Sequence, residues 1–137
     1  MAIGFVHLHN HSEYSMLDGA CRIDDMIKWA KQCNAPAIAL TDHGNMFGAW
    51  EFYSAAKKQG VRPIIGCEVY VAPGDMRSRD KTQPSAYHLT LLAENATGYH
   101  NLIRLVSYAY LDGFYRKPRI DIDLLRGYRE GIIVLTG

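Results

Sequence analysis

Ala37-Ile38-Ala39-Leu40-Thr41-Asp42-His43-Gly44-Asn45 opens with four apolar residues and ends in a polar turn that carries a histidine. An apolar run of that length, bounded by turn residues, reads as a short strand buried on both faces. The stretches on either side read as helices. In Ile23 to Cys33, Ile23, Met26, Ile27, Ala30 and Cys33 recur at helical spacing. In Gly48 to Gln59, Ala49, Phe52, Tyr53 and Ala56 share one side, and Gly60 closes the helix. The same alternation extends outward. Phe5 to Leu8 reads as a first strand, Pro63 to Val71 as a third and Tyr87 to Ala93 as a fourth, with Ala72 to Ala86 a loop containing Pro73, Gly74 and Pro84. Thr97 to Leu111 reads as a third helix. Asp121 or Asp123 caps a short helix ending near Gly127, and Gly131 to Leu135 forms a fifth strand.

Strands alternating with helices predict an α/β fold of about five parallel strands with covering helices and right-handed crossovers. A closed (β/α) barrel takes about 250 residues, and the chain has 137. The expectation is therefore an open sheet or part of a barrel. With 48% hydrophobic and 21% charged residues, the composition is that of a globular domain. A net charge of +1 makes no global case for nucleic acid. No apolar run approaches the length of a membrane span, and Met1 to Asn10 lacks the pattern of a signal peptide. Three cysteines, Cys21, Cys33 and Cys67, lie without CxxC spacing, which suggests reduced thiols and a cytoplasmic location.

The chemistry concentrates at strand ends. His7 and His9 lie two apart, so on a strand they share a face and can grip one metal ion. His43 follows the second strand, Glu68 lies within the third, His88 starts the fourth, and Asp18 sits in the loop after the first. Parallel α/β folds gather strand C-terminal ends on one rim, where sites are built. His88 fits that rim less neatly, being early in its strand. A carboxylate in an apolar strand needs a cation or a hydrogen-bonding partner. Mixed histidine and carboxylate donors suit zinc, manganese or iron better than calcium. A multinuclear cleft of this kind suits phosphoester hydrolysis, in which one metal generates hydroxide and others clamp phosphate oxygens. His11, on the same rim, is a candidate outer donor or phosphate contact, and Asp42 either orients an imidazole or is a turn residue. His100 is expected to face solvent and Cys67 to be an apolar filler. Arg77, Arg79 and Lys81 form one basic group in the long loop. Arg116, Lys117 and Arg119, beside Phe114 and Tyr115, form another that suits DNA backbone or a neighbouring domain. There is no P-loop and no GxSxG nucleophile elbow.

His7-Leu8-His9-Asn10-His11-Ser12, Leu17-Asp18-Gly19, Thr41-Asp42-His43-Gly44-Asn45, Gly66-Cys67-Glu68 and Tyr87-His88-Leu89-Thr90 resemble the opening motifs of the PHP (polymerase and histidinol phosphatase) family. Met16-Leu17-Asp18-Gly19, Asn45-Met46-Phe47-Gly48, Glu51-Phe52-Tyr53, Asn95-Ala96-Thr97-Gly98-Tyr99 and Gly113-Phe114-Tyr115-Arg116-Lys117-Pro118-Arg119-Ile120-Asp121 resemble, within it, the alpha-subunit family of bacterial replicative DNA polymerases. The resemblance implies that residues 1–137 are the N-terminal part of a PHP domain, an incomplete (β/α)7-type barrel ending before its later ligands, with the rest of the barrel and the polymerase modules absent. It implies metal ligation by His7, His9, Asp18, His43, Glu68 and His88, with Glu68 a candidate bridging carboxylate and up to three divalent ions in a complete domain. The implied parent is a DNA-directed DNA polymerase, a nucleotidyltransferase of chromosomal replication, whose partners are DNA, its other modules and replisome subunits. The domain itself would be a metal-dependent phosphoesterase or 3′–5′ exonuclease, and the fragment alone is expected to be inactive. The alternatives are a non-catalytic structural or docking domain and a free-standing PHP phosphatase.

Overall fold

A computed structural model of the chain describes residues 4–16 and 18–136. Leu17 of the Met16–Gly19 motif, Gly137, and residues 1–3 lie outside the described residues. The elements are α1 (Ile23–Gln32), β1 (Ala37–Leu40), α2 (Ala49–Gln59), β2 (Arg62–Val71), β3 (Tyr87–Ala93), α3 (Ala96–Leu111), β4 (Arg119–Ile120), α4 (Ile122–Gly127) and β5 (Ile132–Leu135). Their boundaries have local causes. Asp24 and Asp25 complement the dipole at the start of α1. Gly60, at φ 75°, supplies the left-handed cap of α2. The side chains of Asn95 and Asp121 accept hydrogen bonds from Gly98 N and Leu124 N and so start α3 and α4.

The strands form one sheet in the order β1-β2-β3-β5, with β4 pairing on β2. β2 is its spine. Along one edge it pairs in parallel with β1 at Arg62 to Ile65, bridges His43 at Glu68, and pairs in parallel with β4 at Tyr70 and Val71. Along the other it pairs with β3, antiparallel. β5 is antiparallel to β3 and so runs with β1, β2 and β4. The expected all-parallel sheet is corrected in this one strand. A parallel return needs a crossover, usually a helix. Residues 72–86 contain no helix, so the chain comes straight back.

Two further expectations change. Residues 5–8 are not a ladder strand, although Ala39 N donates to His7 O (3.0 Å) and Thr41 N to Asn10 O (2.9 Å). Side chains take the remaining ladder positions. The Asn10 amide donates to His7 O and Ala39 O, and the Thr41 hydroxyl accepts from Asn10 N and donates to Asn10 O. β4, only two residues long, gives no periodicity to detect.

The apolar interior falls into two clusters. Ile23, Ile27, Ile38, Leu40, Phe52 and Ala56 pack α1 and α2 onto β1. Cys67, Val69, Val71, Leu91, Leu102 and Leu105 pack α3 onto β2 and β3. Because strand side chains alternate, burying Cys67, Val69 and Val71 under α3 turns Glu68 and Tyr70 to the opposite face.

Candidate metal centre

On that opposite face the antiparallel register sets Glu68 beside Thr90 and Tyr70 beside His88. Directly opposed residues share a face, so β3 delivers His88 to Glu68 because it runs backwards. Its start lies at the rim where the parallel strands end, which removes the misfit of an early-strand histidine.

Glu68 is 5% exposed, and its two oxygens serve different neighbours. Oε2 contacts His9 Nε2 and lies 3.1 Å from His11 Nε2. Oε1 contacts His88 Nδ1 and lies 3.6 Å from His43 Nδ1. Two groups result with donor atoms close enough for one ion each: His9, His11 and Glu68, and His43, Glu68 and His88. Four of the chain's six histidines thus surround one carboxylate. Burial pushes the Glu68 carboxyl up. Hydrogen bonds from His9 and His88, with His43 nearby, outweigh that and hold it below its ordinary value. Burial, then the neighbouring His43, lowers the His11 imidazole, which favours the neutral form that binds metal.

The donor set fits a divalent metal on a second count. His43 Nδ1 is buried with no hydrogen-bond partner among the described residues. A buried polar nitrogen left unpaired is costly, and here it faces a carboxylate beyond hydrogen-bonding range. An ion between them would satisfy both.

Asp18 Oδ2 lies 2.5 Å from the other ring nitrogen, His43 Nε2, and so reaches the cluster at its exposed edge. Gly44, at φ 63°, turns the chain after His43, and a Cβ there would meet Tyr70 Cε2 at 2.9 Å and Pro118 Cγ at 3.0 Å. Of the two roles open to Asp42, the turn is the one its direct contacts serve, and no imidazole touches it. Buried at 1% exposure, it accepts from Ser12 N (2.6 Å), Ser12 Oγ (2.7 Å) and Ser15 Oγ (2.8 Å). Ser15 Oγ in turn accepts from His43 N at 3.0 Å and lies 3.5 Å from His11 Nδ1. Asp42 therefore fixes the turn that aligns His11 and His43, through two serines that the sequence reading passed over. Ser12 directly follows the histidine repeat and Ser15 comes three residues later.

His7 is the residue the structure leaves out. It lies on the same cleft wall as His9 and His11, but its ring meets the edges of Phe5 and Trp29 (centroids 4.8 and 5.1 Å). The histidine pair that meets Glu68 is His9 and His11, one step later than the pair read from spacing. His11 accordingly moves from outer donor to member of a donor group. Cys67 behaves as expected: burial pushes its thiol up. Exposed His100 turns back to Ala96 O (2.8 Å).

The second basic group divides. Arg119, expected to contact DNA or another domain, is 3% exposed. It donates to the carbonyls of Gly113, Ser85, Met76 and Ser78 at 3.1, 3.2, 2.7 and 2.6 Å, pinning the 72–86 loop. Exposed Arg116 lies over the Tyr115 ring. Lys117 reaches the metal cleft, a cavity of ≈ 480 Å³ lined also by Asp18, His43, Tyr70 and His88. Tyr70, two residues after Glu68 on the same strand face, was missed although the period-two rule predicts its place. No helix among the described residues is long and apolar enough to cross a membrane.

Comparison with known proteins gives the family and the fold. The chain is 54% identical over 97% of its length to DNA polymerase III subunit alpha of Thermus aquaticus, and 55% identical over 94% to that of Borreliella burgdorferi. It spans about 11% of the length of each. Among solved structures, an amidohydrolase from Chromobacterium violaceum with bound sulfate and no metal matches at TM-score 0.55 and 27% identity, over 76% of this chain and 32% of that one. A candidate metal-dependent phosphoesterase from Bifidobacterium adolescentis matches at TM-score 0.55, with the same coverage and 16% identity, a likeness of fold. A family model described as PHP domain matches residues 7–137. Beginning at the histidine repeat and running through β5, that match takes in every residue gathered around Glu68: the chain belongs to the PHP domain family.

Proposed function

We propose that this chain supplies the metal-binding wall of a phosphoester hydrolase that trims DNA 3′ ends, within a replicative DNA polymerase acting in the cytoplasm. What supports it above all is a single buried carboxylate shared by two donor groups. Divalent ions held there by His9, His11, His43, Glu68 and His88, with Asp18 at the edge and His7 as a further candidate on the wall, would supply Lewis-acid polarisation of phosphate and an activated water. Zinc, manganese and iron suit these donors.

The protein's own groups do the rest. In the metal-free chain hydrogen bonds from His9 and His88 hold Glu68 ionised, so it offers an anionic donor without first losing a proton. Asp42 keeps His11 and His43 aligned through Ser15. The open cleft beside His43 and His88 admits a substrate phosphate from solvent. DNA, the other modules of the polymerase and replisome subunits are the partners in this reading.

A structural role has its own support, since one cluster ties the 7–11 segment to β2 and β3. The two roles separate in a full-length polymerase carrying this sequence. With Mn²⁺, it should release the 3′ nucleotide of a labelled oligonucleotide. H43A should abolish release and leave primer extension intact. Release that persists in H43A, or in chelator, would overturn the hydrolase reading. The 137 residues alone should bind ions and release nucleotide only at trace rates.

A further inference from the structure

Lys117 stands out among the residues the donor cluster does not use. The left-handed Arg116 (φ 62°) and the Tyr115–Lys117 bridge turn the chain back towards the sheet. Pro118 packs against Gly44, directly after His43. Lys117 Nζ lies 5.1 Å from the Tyr70 ring centroid and 3.5 Å from its hydroxyl. Tyr70 itself stands against two of the candidate ligands, with centroids 6.1 Å from His43 and 4.9 Å from His88. No carboxylate among the described residues pairs with Lys117. A cation held over an aromatic face at the mouth of a metal cleft, with its charge unneutralised, is arranged to receive an anion.

We infer that Lys117, steadied by Tyr70, is the positioning residue for the non-bridging oxygens of a phosphate adjoining the scissile one, so that the cleft selects a polyanionic strand over an isolated monoester. This rests on the phosphoester reading above. The single point charge of a lysine suits a phosphate whose orientation is fixed elsewhere, and such a contact reads backbone and not base. Arg119, two residues on, cannot share the task, because its guanidinium is committed to four carbonyls.

The test is equilibrium binding of a short fluorescent oligothymidylate to the 137-residue chain in Mn²⁺, by anisotropy. The probe is made with all phosphodiester linkages, or with one neutral methylphosphonate placed at successive positions from the 3′ end. K117M should weaken binding of the all-phosphodiester strand about ten-fold, the scale of one charge-assisted contact, while K117R stays near wild type. One methylphosphonate position should cost the wild-type chain the same factor and cost K117M nothing further. Equal losses for K117M on every probe, no loss, or no measurable binding by the wild-type chain would each overturn the inference. Because the readout is binding, the expected pattern together with a full-length polymerase that releases no 3′ nucleotide would defeat hydrolysis and leave Lys117 standing. An active polymerase indifferent to K117M would do the reverse.

Discussion

Replacing Glu68 by glutamine isolates the claim that one carboxylate serves two ions. The change is nearly isosteric, and the main-chain bonds that seat the residue, Glu68 N to Asp42 O (3.0 Å) and Gly44 N to Glu68 O (2.8 Å), do not involve the side chain. The fold should therefore survive. Each donor group contains one carboxylate, and in both it is Glu68. Removing a residue that merely orients a ligand costs about 10–100-fold in metal affinity. Losing the anionic donor itself should cost at least the upper figure, about 2.7 kcal/mol, at both positions. The histidine variants provide the contrast. H9A touches the His9–His11–Glu68 group and H88A the His43–Glu68–His88 group, so each should weaken one ion and spare the other. Titration calorimetry with Zn²⁺ or Mn²⁺, backed by metal analysis of dialysed protein, reads number and affinity together. The shared-carboxylate geometry is refuted if E68Q keeps both ions within about tenfold of wild-type affinity, a loss below even an orienting residue's upper range.

Other consequences follow from the same geometry. In the metal-free chain, His11 has a lowered folded pKa, so the unfolded state binds more protons once pH drops below about 6.5. Its contribution is present above that value and lost as pH falls towards the folded pKa; Glu68, also depressed, adds stability above the ordinary glutamate range that is lost at lower pH. Urea midpoints measured in chelator from pH 8 to about pH 3 should fall in those two steps, and H11A should flatten the upper one. For Arg119, R119M removes a buried cation's bonds to four carbonyls and should destabilise the chain by about 3 kcal/mol in urea unfolding, while leaving the salt dependence of oligonucleotide binding unchanged.

How far the sequence carries can be argued from individual residues. The helices α1, α2 and α3 were legible because their apolar positions repeat at helical spacing; burial follows that repeat in α1 and, Tyr53 apart, in α2, whereas α3 buries Gly98, Asn101, Leu102, Leu105 and Ala109 and leaves Ile103 and Tyr110 of its apolar stripe exposed. His43 was legible as a member of the cluster because strand ends are where such folds expose chemistry, and Glu68 because a carboxylate in an apolar strand needs a partner. The direction of β3 was not legible from its own residues, since Tyr87 to Ala93 is equally apolar in either orientation. The signal lay in the link before it, where residues 72–86, mostly polar and without a helical pattern, make a poor crossover.

The histidine repeat and the basic cluster show where local reading stops. Period two places His7, His9 and His11 on one face, and all three do line one cleft. Which two reach Glu68 depends on how far the segment has advanced along β1, which is set by Asn10 and Thr41 through bonds between residues about thirty apart. Arg116, Lys117 and Arg119 look equivalent as neighbouring charges. Yet Arg119 is buried because carbonyls at Met76, Ser78 and Ser85 lie ready to solvate it, and Lys117 is drawn to Tyr70 because β4 pairs with the end of β2. The fate of a charge is thus decided by distant partners that the charge itself does not announce. In both cases residue type gives the chemistry on offer, and cross-strand register decides which residue delivers it.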